Sequence, residues 1–268
     1  MSDLVYLYAV APRPVAGQLA GIDGRPVRWI VDGDLAAAVS DVPAEEFEQE
    51  PLNARVRDLH WLGPRAVAHQ TVNAQLHERA EALVPLAFGT VFRDDERVRD
   101  LLRREREGLR ERLTAVSGRA EWVLALHRVG DPDVAALERH SPAVRELQAE
   151  IASSSPGRAH LLKRRLAELT GQELARLDAE AVDTILEALN GLADAVYVEP
   201  LPAEAAERPL LRASLLVARS GEAHFLETIE RLRERWPERG YQLLLTGPWP
   251  AYRFGGLQPY ERHAGAVA

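Results

Sequence analysis

The chain has 268 residues, of which 46% are hydrophobic and 28% charged, with a formal net charge of −8 and no cysteine. These proportions are those of a folded protein, the length exceeds the ~100–200 residues of one domain and favours two, and the acidic balance is the reverse of the basic footprint of a nucleic-acid binder. The missing cysteine excludes a disulfide scaffold, a thiolate zinc site, an iron–sulfur cluster and a cysteine nucleophile, and fits a reducing compartment.

The opening Met1-Ser2-Asp3-Leu4-Val5-Tyr6 lacks the basic leader and small-residue cleavage site of a secretory signal, which predicts a cytoplasmic protein. Residues 4–11 are apolar and aromatic and stop at Pro12 and Pro14, the pattern of a buried first strand. Residues 27–31 and 35–40 flank Asp32-Gly33-Asp34, where the Asp-Gly pair predicts the positive φ angles of a tight hairpin turn. From 52 to 82 the pattern is helical, with Val72, Leu76, Ala80 and Leu83 on one face and Pro64 read as the first residue of a second helix. Residues 83–92 read as one buried strand with Pro85 near its start. The apolar run from 82 to 92 falls short of the ~20 residues that span a bilayer, so no membrane anchor is expected. Asp94 and Asp95 favour the start of one helix reaching Val116, where Ser117-Gly118 ends it.

Beyond that break, 121–129 reads as a strand, 142–190 as mostly helix, 195–199 and 210–218 as strands, 222–236 as a helix with Phe225, Leu226, Ile229 and Leu232 on one face, and 241–245 as a last strand closed by Thr246-Gly247-Pro248. The order βαββαβ is that of a ferredoxin-like domain. Its first helical region is longer than the unit needs, and Ser153-Ser154-Ser155-Pro156-Gly157 divides it into two helices, the second running from Arg158 past Leu189. The expectation is an α+β protein of two domains. An N-terminal α+β domain occupies 1–118, and a ferredoxin-like domain occupies 119–250 with a helical insertion over 142–192. A tail follows at 251–268.

The patterns of catalytic chemistry fail on inspection. His77-Glu78 resembles the start of a zinc-protease helix, but Glu81 stands where the second imidazole is needed. His69 and His77 are eight residues apart, about 80° around a helix and two turns along it, and are read as surface or supporting histidines. The segment from Pro156 to Lys163 lacks the second glycine of a phosphate loop, and Arg164 takes the place of its Ser or Thr. The many carboxylates lie among as many arginines and read as solvated faces. No catalytic residue, metal ligand or cofactor-binding residue is assigned, and the chain is expected not to be an enzyme. Trp249, Tyr252 and Phe254 follow the last strand in a proline-flanked run. Such aromatics must pack, either by docking the tail within the molecule, against the N-terminal domain, or at a partner-binding site.

Five segments in order carry a resemblance: Tyr6-Leu7-Tyr8-Ala9-Val10; Ala38-Val39-Ser40-Asp41-Val42-Pro43; Trp61-Leu62-Gly63-Pro64-Arg65-Ala66-Val67-Ala68-His69; Val84-Pro85-Leu86-Ala87-Phe88-Gly89-Thr90-Val91-Phe92; and Leu245-Thr246-Gly247-Pro248-Trp249-Pro250-Ala251-Tyr252-Arg253-Phe254. With these the chain is similar, over nearly its whole length, to the gas vesicle protein F/L family (GvpL/GvpF). It departs from that pattern at Ala87, where a basic residue is frequent, and at Gly63, often acidic. The resemblance implies two domains, the second a modified ferredoxin-like fold, and a non-enzymatic accessory role in gas vesicle assembly. It further implies gas vesicle localisation beside the cytoplasmic one read from the N-terminus, and as partners the hydrophobic shell protein and other accessory proteins. That no nucleic acid or membrane partner is expected follows from the acidic charge and the short apolar runs. A shell subunit released unpaired aggregates, so a partner covering its apolar surface has a physical use. The competing reading is a ferredoxin-like regulatory protein that binds a small ligand, which rests on fold analogy.

Overall fold

The structure, a computed structural model, describes residues 3–129, 137, 141–201, 209–237 and 240–256. It is an α+β protein with two antiparallel sheets. Contacts divide the chain into two compact units that are not sequential: a first unit up to Trp122 with Leu216–Ser220 and the chain from Thr246, and a second of Val123–Leu215 and Gly221–Leu245.

The sheet of the first unit contains β1 (Leu4–Ala11), β2 (Arg28–Asp32), β3 (Leu35–Val42), β4 (Val84–Pro85) and β5 (Val91–Phe92), in the order β2-β3-β1-β4 with β5 also on β1. All eight residues of β1 are buried, as its unbroken apolar run requires of a central strand. Its register against β3 shifts between Leu7 and Ala9, leaving Tyr8 as an extra residue. The bulge changes the phase of the strand, so Leu4, Tyr6 and Tyr8 before it and Ala9 and Ala11 after it reach the same core cluster. Between β2 and β3 the turn residues are Gly33 and Asp34. Only Gly33 has positive φ, at 64°, so the turn has glycine in its first central position and does not rest on an Asp-Gly pair.

The helices of this unit are α1 (Ala44–Phe47), α2 (Gln49–Arg55), α3 (Leu59–Arg79), α4 (Asp95–Arg104) and α5 (Arg106–Val116). Pro64 does not begin a helix. Asp58 caps α3 by accepting the His60 N–H at 3.0 Å, and the proline falls in the second turn. The expected single strand over 83–92 is two short ones. Leu86 N donates to Tyr8 O at 2.8 Å, Leu7 N to Thr90 O at 2.9 Å, and the intervening loop turns at Gly89, φ 83°. The helix expected from 95 to 116 is interrupted at Glu105, whose ψ is 11°.

The second sheet consists of β6 (Arg119–Arg128), β7 (Ala195–Val198), β8 (Leu211–Ala218) and β9 (Tyr241–Trp249), ordered β7-β8-β6-β9. In chain order these are the second, third, first and fourth strands. β9 continues four residues past the expected end at 245. The helices are α6 (Pro142–Ser153), α7 (Pro156–Leu189) and α8 (Glu222–Arg235), and α6 and α7 pack together as a helical hairpin. The buried residues of α7 are Ala181, Ile185 and Leu189, all in its last third, while Leu162, Leu166 and Leu169 are only half-buried. The tail beyond Gly256 lies outside the described residues.

Candidate functional site

Two elements of the first unit bring polar groups into an aromatic core. β1 supplies Tyr6 and Tyr8 on one face, and α3 supplies His69 and Asn73 one turn apart. Tyr6 Oη lies 2.9 Å from His69 Nδ1 and accepts the Gly89 N–H at 3.0 Å. Asn73 Nδ2 donates to Tyr252 Oη at 2.9 Å and lies 3.0 Å from His69 Nε2, and Tyr252 Oη donates to Gln70 Oε1 at 3.1 Å. An amide nitrogen facing Nε2 makes that atom an acceptor, so the imidazole is neutral and carries its proton on Nδ1, toward Tyr6. The ring stacks on Tyr8 at 5.8 Å and meets Phe88 and Tyr6 edge-on. Tyr8 Oη in turn bonds Ser40 Oγ at 2.7 Å and accepts the Ile22 N–H at 2.9 Å.

Burial decides the protonation states. It lowers the pKa of His69 to about 4, against a weaker effect of the Leu86 carbonyl, and pushes Tyr252 up to about 12. His77 is also lowered to about 4, by burial and then by Arg219. The Arg219 guanidinium donates to His77 O at 2.6 Å and stands 3.2 Å from Nε2. An arginine can only donate, so this ring too is neutral with its proton on Nδ1. Of the two expected roles, surface or supporting, both histidines have the second: they are buried, His69 against Tyr6 and Tyr8 of β1 and His77 against Arg219. A base whose pKa is about 4 takes up no proton at neutral pH, and both His69 nitrogens are occupied, so the arrangement braces the fold.

Above this core lies a groove of about 370 Å³ lined by Ala66, His69, Gln70, Pro85, Ala87, Phe88, Tyr252 and Gly256. The chain reaches it through a turn in which Gly255 N and Gly256 N both donate to Ala251 O, while Arg253 N donates to Glu121 Oε2 at 2.7 Å. Of the three aromatics singled out in the sequence, Tyr252 lines the groove. Trp249 and Phe254 are half-buried outside its lining, and Trp249 Nε1 donates to Thr246 Oγ1 at 3.3 Å. The contributions of Tyr6, Gln70, Asn73 and Phe88 were missed. The readable signals were the Tyr-x-Tyr pair on the first strand and the one-turn spacing of His69 and Asn73. Leu59, Gly63, Ala66, Val67 and Gln70 fall within about 100° of one another around α3. Leu59 and Val67, 78% and 66% exposed, therefore share the helix face that contributes Ala66 and Gln70 to the groove.

The model of the gas vesicle synthesis protein GvpL/GvpF family matches residues 4–255. The chain belongs to this family. Gas vesicle protein L of Streptomyces sp. (strain CB03234) is 34% identical over 97% of this chain and 96% of its own length, and gas vesicle protein F of the same strain is 32% identical over 95% and 99%. Gas vesicle protein L1 of Halobacterium salinarum (strain ATCC 700922 / JCM 11081 / NRC-1) is 25% identical over 93% and 89%. In fold, the chain is similar to the crystal structure of the gas vesicle protein GvpF from Anabaena sp. PCC7120, with a TM-score of 0.68 at 21% identity over 96% of this chain and 98% of that one. The GvpL/GvpF family gives the chain a gas vesicle-related role. Among the described residues no helix is long and apolar enough to cross a membrane.

Proposed function

We propose that this GvpL/GvpF-family chain is a non-enzymatic accessory protein of gas vesicle assembly that engages the hydrophobic shell protein and other accessory proteins through the groove of the first unit and the outer face of α3. The observation that supports this is the exposure of Leu59 and Val67 on the helix face that leads into a groove lined by Ala66, Pro85, Ala87 and Phe88. Apolar side chains left in water beside an apolar groove mark a surface built to be covered. In the same reading the four-stranded sheet with α6, α7 and α8 is a modified ferredoxin-like domain carrying a helical insertion, which its strand order supports.

The test is capture of purified shell protein by the full chain at low salt and at about 0.5 M, where the Debye length is roughly 4 Å and exposed charge pairs are screened. Apolar docking predicts capture at both. Leu59→Glu and Val67→Glu should abolish it with the melting temperature unchanged, because both side chains are exposed. Trp249→Ala and Phe254→Ala show whether these two aromatics touch the partner or only the fold. Capture that vanishes at high salt, or that survives both glutamate substitutions, overturns the proposal.

A further inference from the structure

The second unit has a groove of its own, a cavity of about 490 Å³. One wall is a single face of α7, where Leu177, Glu180, Ala181, Asp183, Thr184 and Glu187 recur at three- and four-residue spacing, and the floor is Trp236 and Tyr241. The two rings meet edge-on at 83°, with centroids 5.6 Å apart. Tyr241 Oη donates to Asp178 Oδ1 at 3.1 Å, and Arg128 pairs with the same carboxylate. Arg128 is therefore committed to Asp178, Arg176 is held by Glu173 and by the lining Glu180, and none of the side chains lining the groove is a cation. The side-chain carboxylates of Asp183 and Glu187, exposed and one turn apart, have no hydrogen-bond or ion-pair partner among the described residues.

Like charges one turn apart destabilise a helix, and here Asp183 and Glu187 stand unpaired, beside a Glu180 that Arg176 already holds, over an apolar and aromatic floor. That combination suits an arginine. Its guanidinium can pair with carboxylates through a planar fork, and its stem can lie on Leu177 above the buried Trp236, Tyr241 and Ala181. Asp183 to Glu187 spans about 6 Å of helix axis, so the unpaired carboxylates match cations repeated one turn apart on a second helix lying along α7.

We propose that this groove docks a basic helical segment of a partner protein, with arginines spaced one turn apart paired to Asp183 and Glu187. The proposal does not rest on the groove of the first unit, and either can fail without the other. The probe is an alanine-based helical peptide bearing three arginines one turn apart, titrated into the full chain by fluorescence anisotropy at low and moderate salt. The wild type should bind. The double variant Asp183→Asn, Glu187→Gln should bind at least about fivefold more weakly, and Thr184→Arg, which places a cation in the groove from an exposed position, should abolish binding. Glu107→Gln with Glu111→Gln on α5 lowers the net charge equally outside the groove and should leave the affinity unchanged. No binding at low salt overturns the proposal, as does equal weakening by the α5 pair, which would mean attraction to net charge alone. Spermine competing as well as the peptide would show that point charges suffice and would refute a helical occupant. Self-association of the protein that Thr184→Arg abolishes would make the occupant a second copy, and refute a partner helix.

Discussion

Tyr252 ties the returning C-terminal segment to α3 through its hydroxyl, with Asn73 donating to it and Gln70 accepting from it. Tyr252→Phe keeps the ring and leaves an amide hydrogen of Asn73 and the Gln70 oxygen without this partner, so it should lower stability by about 1–3 kcal/mol in urea titrations. An unchanged midpoint would mean that water replaces the hydroxyl. His69 carries a second prediction. The folded ring takes up a proton only near pH 4, whereas the unfolded chain does so near 6.5, so between those values the unfolded state holds more protons. Stability therefore falls as pH is lowered from about 6.5 toward 4, by up to about 3 kcal/mol for His69, with His77 acting in the same direction. Urea midpoints at pH 7.5 and 5 test this, and His69→Gln should remove part of the slope. A flat profile would show that the ring is not buried as the neutral form. The sequence pointed to Tyr252 as an aromatic that must pack, with the N-terminal domain as one place to receive it, but not to Gln70 and Asn73 of α3. It left His69 as either a surface or a supporting residue, because helical spacing fixes angles around α3 without saying which side the sheet covers.

At the scale of elements, the loop of residues 86–90 shapes one wall of the groove and depends on Gly89. Its φ of 83° is costly for any side chain, and a Cβ there would come within 3.0 Å of Leu52 Cδ2. Gly89→Ala should cost about 1–2 kcal/mol and displace the N–H that holds Tyr6, which thermal melts would register. β1 and the hairpin after it were legible because their signals are local: an apolar run bounded by prolines, and a glycine turn between two strands. The split of 83–92 into β4 and β5 was not, since the run is apolar throughout and the break comes from pairing both ends to one bulged strand. The interruption at Glu105 falls among helix-forming residues and left no mark in the sequence. The start of α3 was misplaced because Pro64 is the stronger punctuation by pattern, while Asp58 provides the cap.

For the molecule as a whole, the order of the βαββαβ elements was readable from periodicity and turn residues, but the grouping of 216–220 and 246–256 with the N-terminal residues was not, since long-range contact has no local signature. Truncation after Leu245 removes Tyr252 and the turn that carries it. It should lower hydrogen-exchange protection across α3 while leaving α7 and α8 protected; protection of α3 that survives truncation would show that the segment contributes little to the first unit. The same threading bears on synthesis, which proceeds from the N-terminus. Although β1 is among the first residues made, the wall supplied by Tyr252 and Gly256 exists only after the ribosome has passed position 256. A nascent chain therefore cannot present the finished groove, and any partner that reads it meets only chains whose second unit has already been translated.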